Sequence, residues 1–312
     1  MRIVFCGTPE FALPSLHQLL SDSSFSVEAV VTQPDRPHGR GHIISAPPVK
    51  QLALEAGVHV YQPESVKSDS AFEFFTRIAP DAVVIIAYGQ IIPKRLIALP
   101  RLGWINLHAS LLPQYRGAAP INWAIINGET STGLTTMQID AGMDTGPILL
   151  QQQMEIGADE TAPELARRMS EQGAPLMIQT LQKVGHGEIF PRAQDGSQAS
   201  LAPRLTKEMG LLDWSRAARE IYNRTRGLAP WPGAYTRFRG QICHVWGRPE
   251  ALAAKQSGLP GSIEVHTEAV YVMCGKSSRL RLDAVQLEGR KRITPREFVN
   301  GARLVSGERF AE

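Results

Sequence analysis

The polar residues with the most distinctive chemistry stand near the middle of the chain. Asn106 and His108 lie two residues apart at the end of the apolar run 104–107, so in a strand both side chains leave the same face. The acidic, turn-rich segment 140–146 (DAGMDTG) separates two further apolar runs. An amide and a charged imidazole can stabilise a tetrahedral oxyanion, and a carboxylate such as Asp144 can orient the imidazole and help to move a proton. Together these groups predict acyl transfer to an amine without a covalent intermediate.

Each of these residues also has an ordinary structural explanation. A single histidine is most often a hydrogen-bonded structural residue, and Asp144 can simply stabilise a turn. The sequence lacks the motifs of several other reaction types. It has no GxGxxG after its first strand for dinucleotide binding, no GxxxxGK[ST] for phosphate binding, no HExxH for zinc and no GxSxG for a serine nucleophile. Cys6 lies in a predicted buried strand and is expected in the core. The combination of Asn106, His108 and Asp144 therefore favours an active site.

The surrounding apolar runs predict the elements that position these residues. Strands are expected at residues 2–6, 27–31, 81–87 and 104–107, with helical stretches between them. Thr8 can cap the first helix, with Pro9 at its first position. Strands that alternate with helices predict an α/β fold with a doubly wound, mostly parallel, Rossmann-like sheet. Ligands of such a sheet lie at the carboxyl ends of the strands.

The later part of the chain predicts a second domain. After a strand pair at 135–139 and 147–153 comes a helical stretch, 164–181, interrupted by Gly173 and Pro175. The polar residues that follow predict a linker at 191–207, between a catalytic domain at 1–190 and a C-terminal domain at 208–312. The C-terminal domain begins with a helix, 215–225, after a potential cap at Asp213. Its five short strands, at 234–238, 242–246, 262–265, 270–273 and 280–285, predict a small barrel of the oligonucleotide-binding type.

Composition and charge limit the class of protein further. The 312 residues are 43% hydrophobic and 20% charged, which predicts two soluble domains with real cores. The sequence shows no run of 18 apolar residues and no signal peptide, and its three cysteines lack metal-ligand spacing. A cytoplasmic protein without structural disulfides, a metal site or a membrane partner is expected. Nothing in the sequence demands more than a monomer.

The charge is distributed unevenly along the chain. Residues 1–190 carry 13 Lys and Arg against 18 Asp and Glu, whereas residues 191–312 carry 20 against 12, a balance of +8. This asymmetry indicates that the C-terminal part meets a polyanion, most simply a nucleic acid, although an ordinary solvated basic surface is the alternative. The long connection 33–47 (QPDRPHGRGHIISAP) adds Arg36 and Arg40 beside two histidines. Such a loop favours an anionic partner over a disordered insertion.

The same residues carry a resemblance to a known family. The run Asn106-x-His108-x-Ser110-Leu111-Leu112-Pro113-x-Tyr115-Arg116-Gly117, followed by Pro120 and Asp140-x-Gly142-x-Asp144-Thr145-Gly146, resembles the 10-formyltetrahydrofolate-dependent formyltransferases. The resemblance implies that Asn106, His108 and Asp144 are catalytic. It implies 10-formyltetrahydrofolate as co-substrate, with no metal and no nicotinamide. The implied folate site consists of Ser110, Leu111, Leu112, Pro113, Gly89, Ile91 and Asp140.

Two further features resemble the members of this family that act on charged tRNA. They are the opening FCGTPEFALPSL with the loop TQPDRPHGRG, and the entry Trp231-Pro232-Gly233-Ala234 into a basic C-terminal barrel. The resemblance covers essentially the whole chain, most strongly to about residue 155. It departs at Ala109, where some members have Gly, and at His42, where many have Lys. It implies formyl transfer to the α-amino group of methionyl initiator tRNA for translation initiation. The implied tRNA-binding residues are Arg36, Arg40, Arg290, Lys291 and Arg292.

Other acceptors remain open on the sequence alone. An amino sugar nucleotide or glycinamide ribonucleotide could receive the formyl group, and water as acceptor would give folate hydrolysis. The basic C-terminal domain disfavours the ribonucleotide, and the arginine-rich loop disfavours the sugar nucleotide. From a different class, a noncatalytic tRNA-binding protein would leave Asn106, His108 and Asp144 without a role.

Overall fold

The computed structural model describes residues 1–38, 43–251, 258–267 and 269–311. The chain divides into two units. The first comprises 1–120, 131–155 and 165–203, and the second comprises 121–130, 156–164 and 204–312. Among the predicted residues, Arg40 lies outside the described ranges.

The predicted doubly wound sheet is confirmed in the first unit. The strands are β1 Arg2–Gly7, β2 Ser26–Val31, β3 Arg36–His38, β4 Ile43–Ser45, β5 Val60–Tyr61, β6 Ala82–Ile86, β7 Trp104–His108, β8 Ser131–Gln138 and β9 Ile148–Glu155. Seven of them form one sheet in the order β5-β2-β1-β6-β7-β8-β9, while β3 and β4 pair separately within the long connection 33–47. The strands from β5 to β7 are parallel, and β8 and β9 are antiparallel to their neighbours. Parallel pairing brings the carboxyl ends of β1, β6 and β7 to one edge.

Within the described residues, six α-helices lie before residue 190. They are α1 Leu13–Ser21, α2 Pro48–Glu55, α3 Asp69–Ile78, α4 Lys94–Ile97, α5 Pro120–Ile126 and α6 Ala162–Gly185. The expected cap at Thr8 is wrong: a 3₁₀ turn, Glu10–Ala12, follows it, and α1 begins only at Leu13. The Thr8 hydroxyl instead donates to the carbonyl of Tyr88 at 3.2 Å, joining the loops that follow β1 and β6.

The expected interruption of α6 is also wrong, because the helix continues through Gly173 and Pro175. Gly173 allows the helix to pack closely on the sheet: a Cβ there would lie 2.5 Å from Cδ2 of Leu107, which is buried. The hydroxyls of Thr180 and Thr136 add a hydrogen bond of 2.8 Å between α6 and β8. Helix α6 therefore covers the face that carries Leu107, and the side chains of Asn106 and His108 leave the opposite face.

The second unit has its own sheet and core. Its described α-helices and strands after residue 204 are α7 Ala218–Gly227, β10 Tyr235–Phe238, β11 Gln241–Glu250, β12 Ile263–Val265, β13 Val270–Cys274, β14 Ser278–Leu287 and α8 Pro295–Ala302. The five strands are antiparallel in the order β10-β11-β14-β13-β12. Residues 308–311 pair near both edges of this sheet: Ala311 bridges Arg237 of β10, and Arg309 bridges Ser262, the residue before β12. Helix α7 starts three residues later than expected, because Asp213 accepts from the amide of Ser215 and closes a turn there.

The packing of α6 gives a stability prediction. Replacing Gly173 by Ala should lower the free energy of unfolding by about 1–3 kcal/mol, because the added methyl group overpacks the contact with buried Leu107. Gly301 of α8 is the matched control, since it is also helical and a Cβ there meets no atom within 4 Å. Gly301→Ala should stabilise by up to about 1 kcal/mol through helix propensity. Urea unfolding followed by circular dichroism measures both, and a neutral or stabilising Gly173→Ala would contradict the close packing.

Candidate active site

Along one face of strand β7, the side chains change from apolar to polar toward the carboxyl end. Trp104 packs in the apolar core, Asn106 follows half-buried, and His108 ends the strand with 6% of its surface exposed. Asn106 is level with Ile85 of β6 and Met137 of β8, so it borders the core on both sides. The alternation of the strand thus carries the face from apolar packing to polar groups at its carboxyl end.

The His108 imidazole meets a different group at each nitrogen. Nε2 lies 2.9 Å from the carbonyl oxygen of Tyr115, and because a carbonyl only accepts, Nε2 carries a hydrogen and donates it. Nδ1 faces Oδ2 of Asp144 at 3.7 Å, a distance for charge interaction rather than a direct hydrogen bond. The backbone carbonyl therefore orients the ring, and the carboxylate supplies negative charge beside its other nitrogen.

Asp144 is held by a second loop. Its Oδ2 accepts from the backbone amide of Gly117 at 2.9 Å. Gly117 has φ of 123°, and a Cβ there would lie 2.7 Å from the carbonyl oxygen of Ala202, so only glycine fits this approach. Tyr115 and Asp144 themselves have left-handed φ angles of 57° and 53°. Such backbone conformations cost of order 1–3 kcal/mol each and cluster at functional sites.

The turn around Asp144 is closed by Asp140. The Asp140 carboxylate accepts from the amide of Gly142 at 2.9 Å and from the hydroxyl of Thr145 at 2.8 Å. The turn-stabilising role that could explain Asp144 thus belongs to Asp140. The side chain of Asp144 contacts another part of the chain.

The carboxamide of Asn106 makes no hydrogen bond to any residue that the structure describes. It is half-buried, beside an imidazole whose Nδ1 is also without a direct hydrogen bond in these ranges. A half-buried amide at the carboxyl end of a parallel strand is a suitable donor for a ligand oxygen.

The residues of the implied folate site divide into lining and supporting groups. Ser110 is fully buried and donates to the carbonyl of Gln114 at 2.6 Å, and Leu112 packs with Met137 and Ile148. Leu111 and Pro113 are partly exposed. On the loop after β6, Gly89 has φ of 89°, and Ile91 is 73% exposed. Asp140 supports its own loop, as described above.

Two buried groups close to the carboxyl ends of β1 and β6 do not join this chemistry. Burial raises the pKa of the Tyr88 hydroxyl and that of the Cys6 thiol above their ordinary values. Both groups therefore stay protonated at neutral pH, and Cys6 lies in the core as expected.

The basic residues predicted to bind tRNA lie on the surface where the structure describes them. Arg36 is exposed at the start of β3. Arg290, Lys291 and Arg292 are exposed after β14 in the second unit. The guanidinium of Arg292 lies 4.0 Å from the centre of the Trp246 ring, a cation–π contact on the outside of the sheet.

The segment 192–202, here called the strap, lies within the stretch 191–207 that the sequence predicted as a linker. The strap belongs to the first unit, and its Gln194 and Ser200 contact the loops that carry Tyr115 and Asp144. Its polar composition gave no sign of this role. Arg116, inside the motif, is the partner of Gln194, but its presence in the sequence does not identify which residue it contacts.

Two kinds of site are absent from the described ranges. No group of three or more His, Cys, Asp or Glu side chains in them could hold a metal ion. No helix in them has the length and apolar character needed to cross a membrane.

Comparison with known proteins matches both parts of the chain. The family model described as formyl transferase matches residues 1–181, and that of the formyl transferase C-terminal domain matches residues 204–303. The chain is 51% identical over 312 residues to methionyl-tRNA formyltransferase of Solibacter usitatus, covering 100% of this chain and 99% of that protein. It is 50% identical over 311 residues to methionyl-tRNA formyltransferase of Acidobacterium capsulatum, covering 99% of both.

A solved structure shares the fold at lower identity. It is an N-formyltransferase from Helicobacter canadensis in complex with folinic acid and dTDP-3-aminofucose. The TM-score is 0.66 at 17% identity, over 90% of this chain and 98% of that one.

The two aspartates of the 140–146 loop should respond differently to substitution. Asp140→Ala should lower the free energy of unfolding by about 1–3 kcal/mol, because the amide of Gly142 and the hydroxyl of Thr145 lose their acceptor. Asp144→Asn should change it by less than about 1 kcal/mol, because an amide oxygen can still accept from Gly117. Urea unfolding measures both variants. Equal destabilisation would assign Asp144 to the turn as well.

Proposed function

The chain belongs to the formyl transferase family, and from this membership we propose that it transfers a formyl group from 10-formyltetrahydrofolate to the α-amino group of methionyl initiator tRNA. The observation that carries this function is the full-length similarity to methionyl-tRNA formyltransferases, which extends through both units. We propose that this transfer takes place in the cytoplasm and supplies translation initiation. The enzyme is proposed to act as a monomer.

The reaction assigns a task to each member of the trio. The amine attacks the formyl carbon, a C–N bond forms, and the carbonyl electron pair moves to oxygen. Asn106 donates a hydrogen bond to that oxyanion, and the His108 imidazolium stabilises its charge. When the adduct collapses, the bond to the folate nitrogen breaks. Asp144 carries the proton released by the amine toward the departing nitrogen.

The geometry supports this division of tasks. Because Nε2 of His108 is bound to the Tyr115 carbonyl, Nδ1 is the ring atom free to face the reacting groups. The 3.7 Å between Nδ1 and Oδ2 of Asp144 allows the carboxylate to stabilise a charged imidazole while it still meets a substrate proton. Asn106 lies two residues before His108 on the same face of β7, so its amide is available as a second donor on that face.

We assign the folate to the carboxyl edge of the first sheet, within the proposed catalytic domain 1–190. Leu111, Pro113, Gly89 and Ile91 supply the exposed or partly exposed surface there. Ser110, Leu112 and Asp140 act behind that surface, because their contacts are internal to the protein.

The tRNA is proposed to meet both parts of the chain. Arg36 and Arg40 of the 33–47 connection would reach the acceptor end, and residues 208–312, through Arg290, Lys291 and Arg292, would contact the phosphate backbone. Exposed basic side chains on a positively charged unit are suited to such contacts.

An acceptor comparison tests the function. Formyl transfer from 10-formyltetrahydrofolate is measured with methionyl-tRNA, an amino sugar nucleotide, glycinamide ribonucleotide and buffer alone. We expect transfer to methionyl-tRNA to exceed all others. The Asn106→Ala variant should lose about a hundred- to thousandfold in turnover, the usual effect of removing one oxyanion donor. Asn300→Ala, on the exposed surface of α8, is the control and should keep full turnover.

Two outcomes would contradict this function. Faster transfer to the sugar nucleotide or to glycinamide ribonucleotide would replace the acceptor, and formate release without any amine would indicate a hydrolase. Near-normal turnover by Asn106→Ala at saturating substrate would remove Asn106 from the catalytic trio.

The basic cluster gives a separate prediction. Changing Arg290, Lys291 and Arg292 together to Gln should weaken the binding of all tRNAs alike. It should also reduce the slope of log affinity against log salt by about 0.7–0.9 for each phosphate that the protein no longer neutralises. The control removes three exposed positive charges from the first unit, at Arg77, Arg101 and Arg167. If both triple variants change affinity and slope equally, only net charge matters and the cluster is not a binding site.

A further inference from the structure

The catalytic loops depend on a contact that the trio itself does not make. Tyr115, whose carbonyl orients His108, and Asp144 lie on two loops without regular secondary structure. One direct link between these loops is the hydrogen bond from the Gly117 amide to Asp144. A single hydrogen bond contributes only about 0.5–1.5 kcal/mol, so further contacts are needed to hold two loops with left-handed residues in place.

Gln194 of the strap supplies a second, stronger link. Its Nε2 donates to the carbonyl oxygens of Asp144 at 2.9 Å and Gly146 at 2.7 Å. Its Oε1 accepts from Nε and Nη2 of Arg116, at 3.0 and 2.7 Å. One carboxamide thus uses its donor and its acceptor on the two loops that hold the imidazole and the carboxylate, and Arg116 lies directly between Tyr115 and Gly117.

The backbone of the strap is fixed independently of this side chain. Arg192 exchanges two backbone hydrogen bonds with Ile148 at the start of β9, at 2.8 and 2.9 Å. At the other end, Ser200 accepts from the amides of Tyr115 and Arg116, each at 2.8 Å, and Ala202 pairs with Arg116. Because these bonds involve the backbone or Ser200, they remain when the Gln194 side chain is shortened. A Gln194 variant is therefore expected to fold.

We propose that Gln194 is a positioning residue for formyl transfer, which holds the Asp144 carboxylate at its distance from the His108 imidazole by joining both loops. This inference rests on the proposed function for the reaction it assists. Within the described residues, the hydrogen bonds of the Gln194 carboxamide go to Arg116 and to the carbonyl oxygens of Asp144 and Gly146, and none goes to a side chain of the trio. It acts through the backbone that carries them.

The first test separates turnover from binding. Gln194→Ala should lower single-turnover formyl transfer roughly ten- to hundredfold, because small displacements of catalytic groups have effects of this size. The KM values for folate and tRNA should stay within about threefold, since the side chain acts on the reacting geometry. Gln198→Ala is the matched control in the same strap. The Gln198 carboxamide donates to Asp195 at 3.0 Å, within the strap, and its removal should leave turnover unchanged.

Gln194→Glu identifies which half of the carboxamide matters. Glutamate keeps an acceptor for Arg116 but has no N–H for the carbonyls of Asp144 and Gly146. We expect it to lose as much turnover as Gln194→Ala. Restoration of full turnover by Glu would mean that the residue only anchors Arg116, which would overturn the proposal, as would normal turnover by Gln194→Ala.

A double-mutant cycle with Asp144→Asn tests whether Gln194 acts through Asp144. In that background, Gln194→Ala should lower turnover by less than about threefold, because the charge that it positions is already absent. A full additional loss would indicate a merely structural effect and would overturn the proposal. The acceptor comparison with the wild type tests the function separately. If it selects another amine, the same cycle is measured with that amine.

Discussion

The rest of the proposed active site depends on the two contacts at the nitrogens of His108. One nitrogen is fixed by the carbonyl of Tyr115, and the other faces the carboxylate of Asp144. The strand provides the histidine, but neither partner belongs to a strand or helix. Two loops with strained backbone must therefore be held against a rigid sheet edge, and the hydrogen bonds around Arg116, Asp140 and Gln194 serve that purpose.

Close backbone approach makes this arrangement possible. Gly117 permits its loop to lie against Ala202, and Gly146 lies where a Cβ would collide with the carbonyl of Gln138. On the far side of the sheet, Gly173 lets α6 rest on Leu107, which supports the strand that ends in His108. The proposed site therefore depends on the absence of a side chain at these three glycines as well as on its polar groups.

Much of the fold and part of the site follow from local patterns in the sequence. The strands of both units are short apolar runs between turn residues, and the period of two places Asn106 and His108 on one face. The prediction that α6 is interrupted was wrong. Packing against Leu107 outweighs the unfavourable helix propensity of Gly173. The different tasks of Asp140 and Asp144 depend on which loop each side chain faces. The role of Gln194 depends on a contact 78 residues away, with Arg116. Neither leaves a local pattern.

The strap also determines how much of the chain must be present before the loops of Tyr115 and Asp144 can acquire their final form. The amide of Tyr115 meets its partner Ser200 across 85 residues of sequence, and Asp144 meets Gln194 across 50. A fragment cut where the first family model ends, at residue 181, would contain all three proposed catalytic residues but not the segment that joins their loops. The chain must therefore extend to about residue 203, where the last segment of the first unit ends, before these loops can be joined.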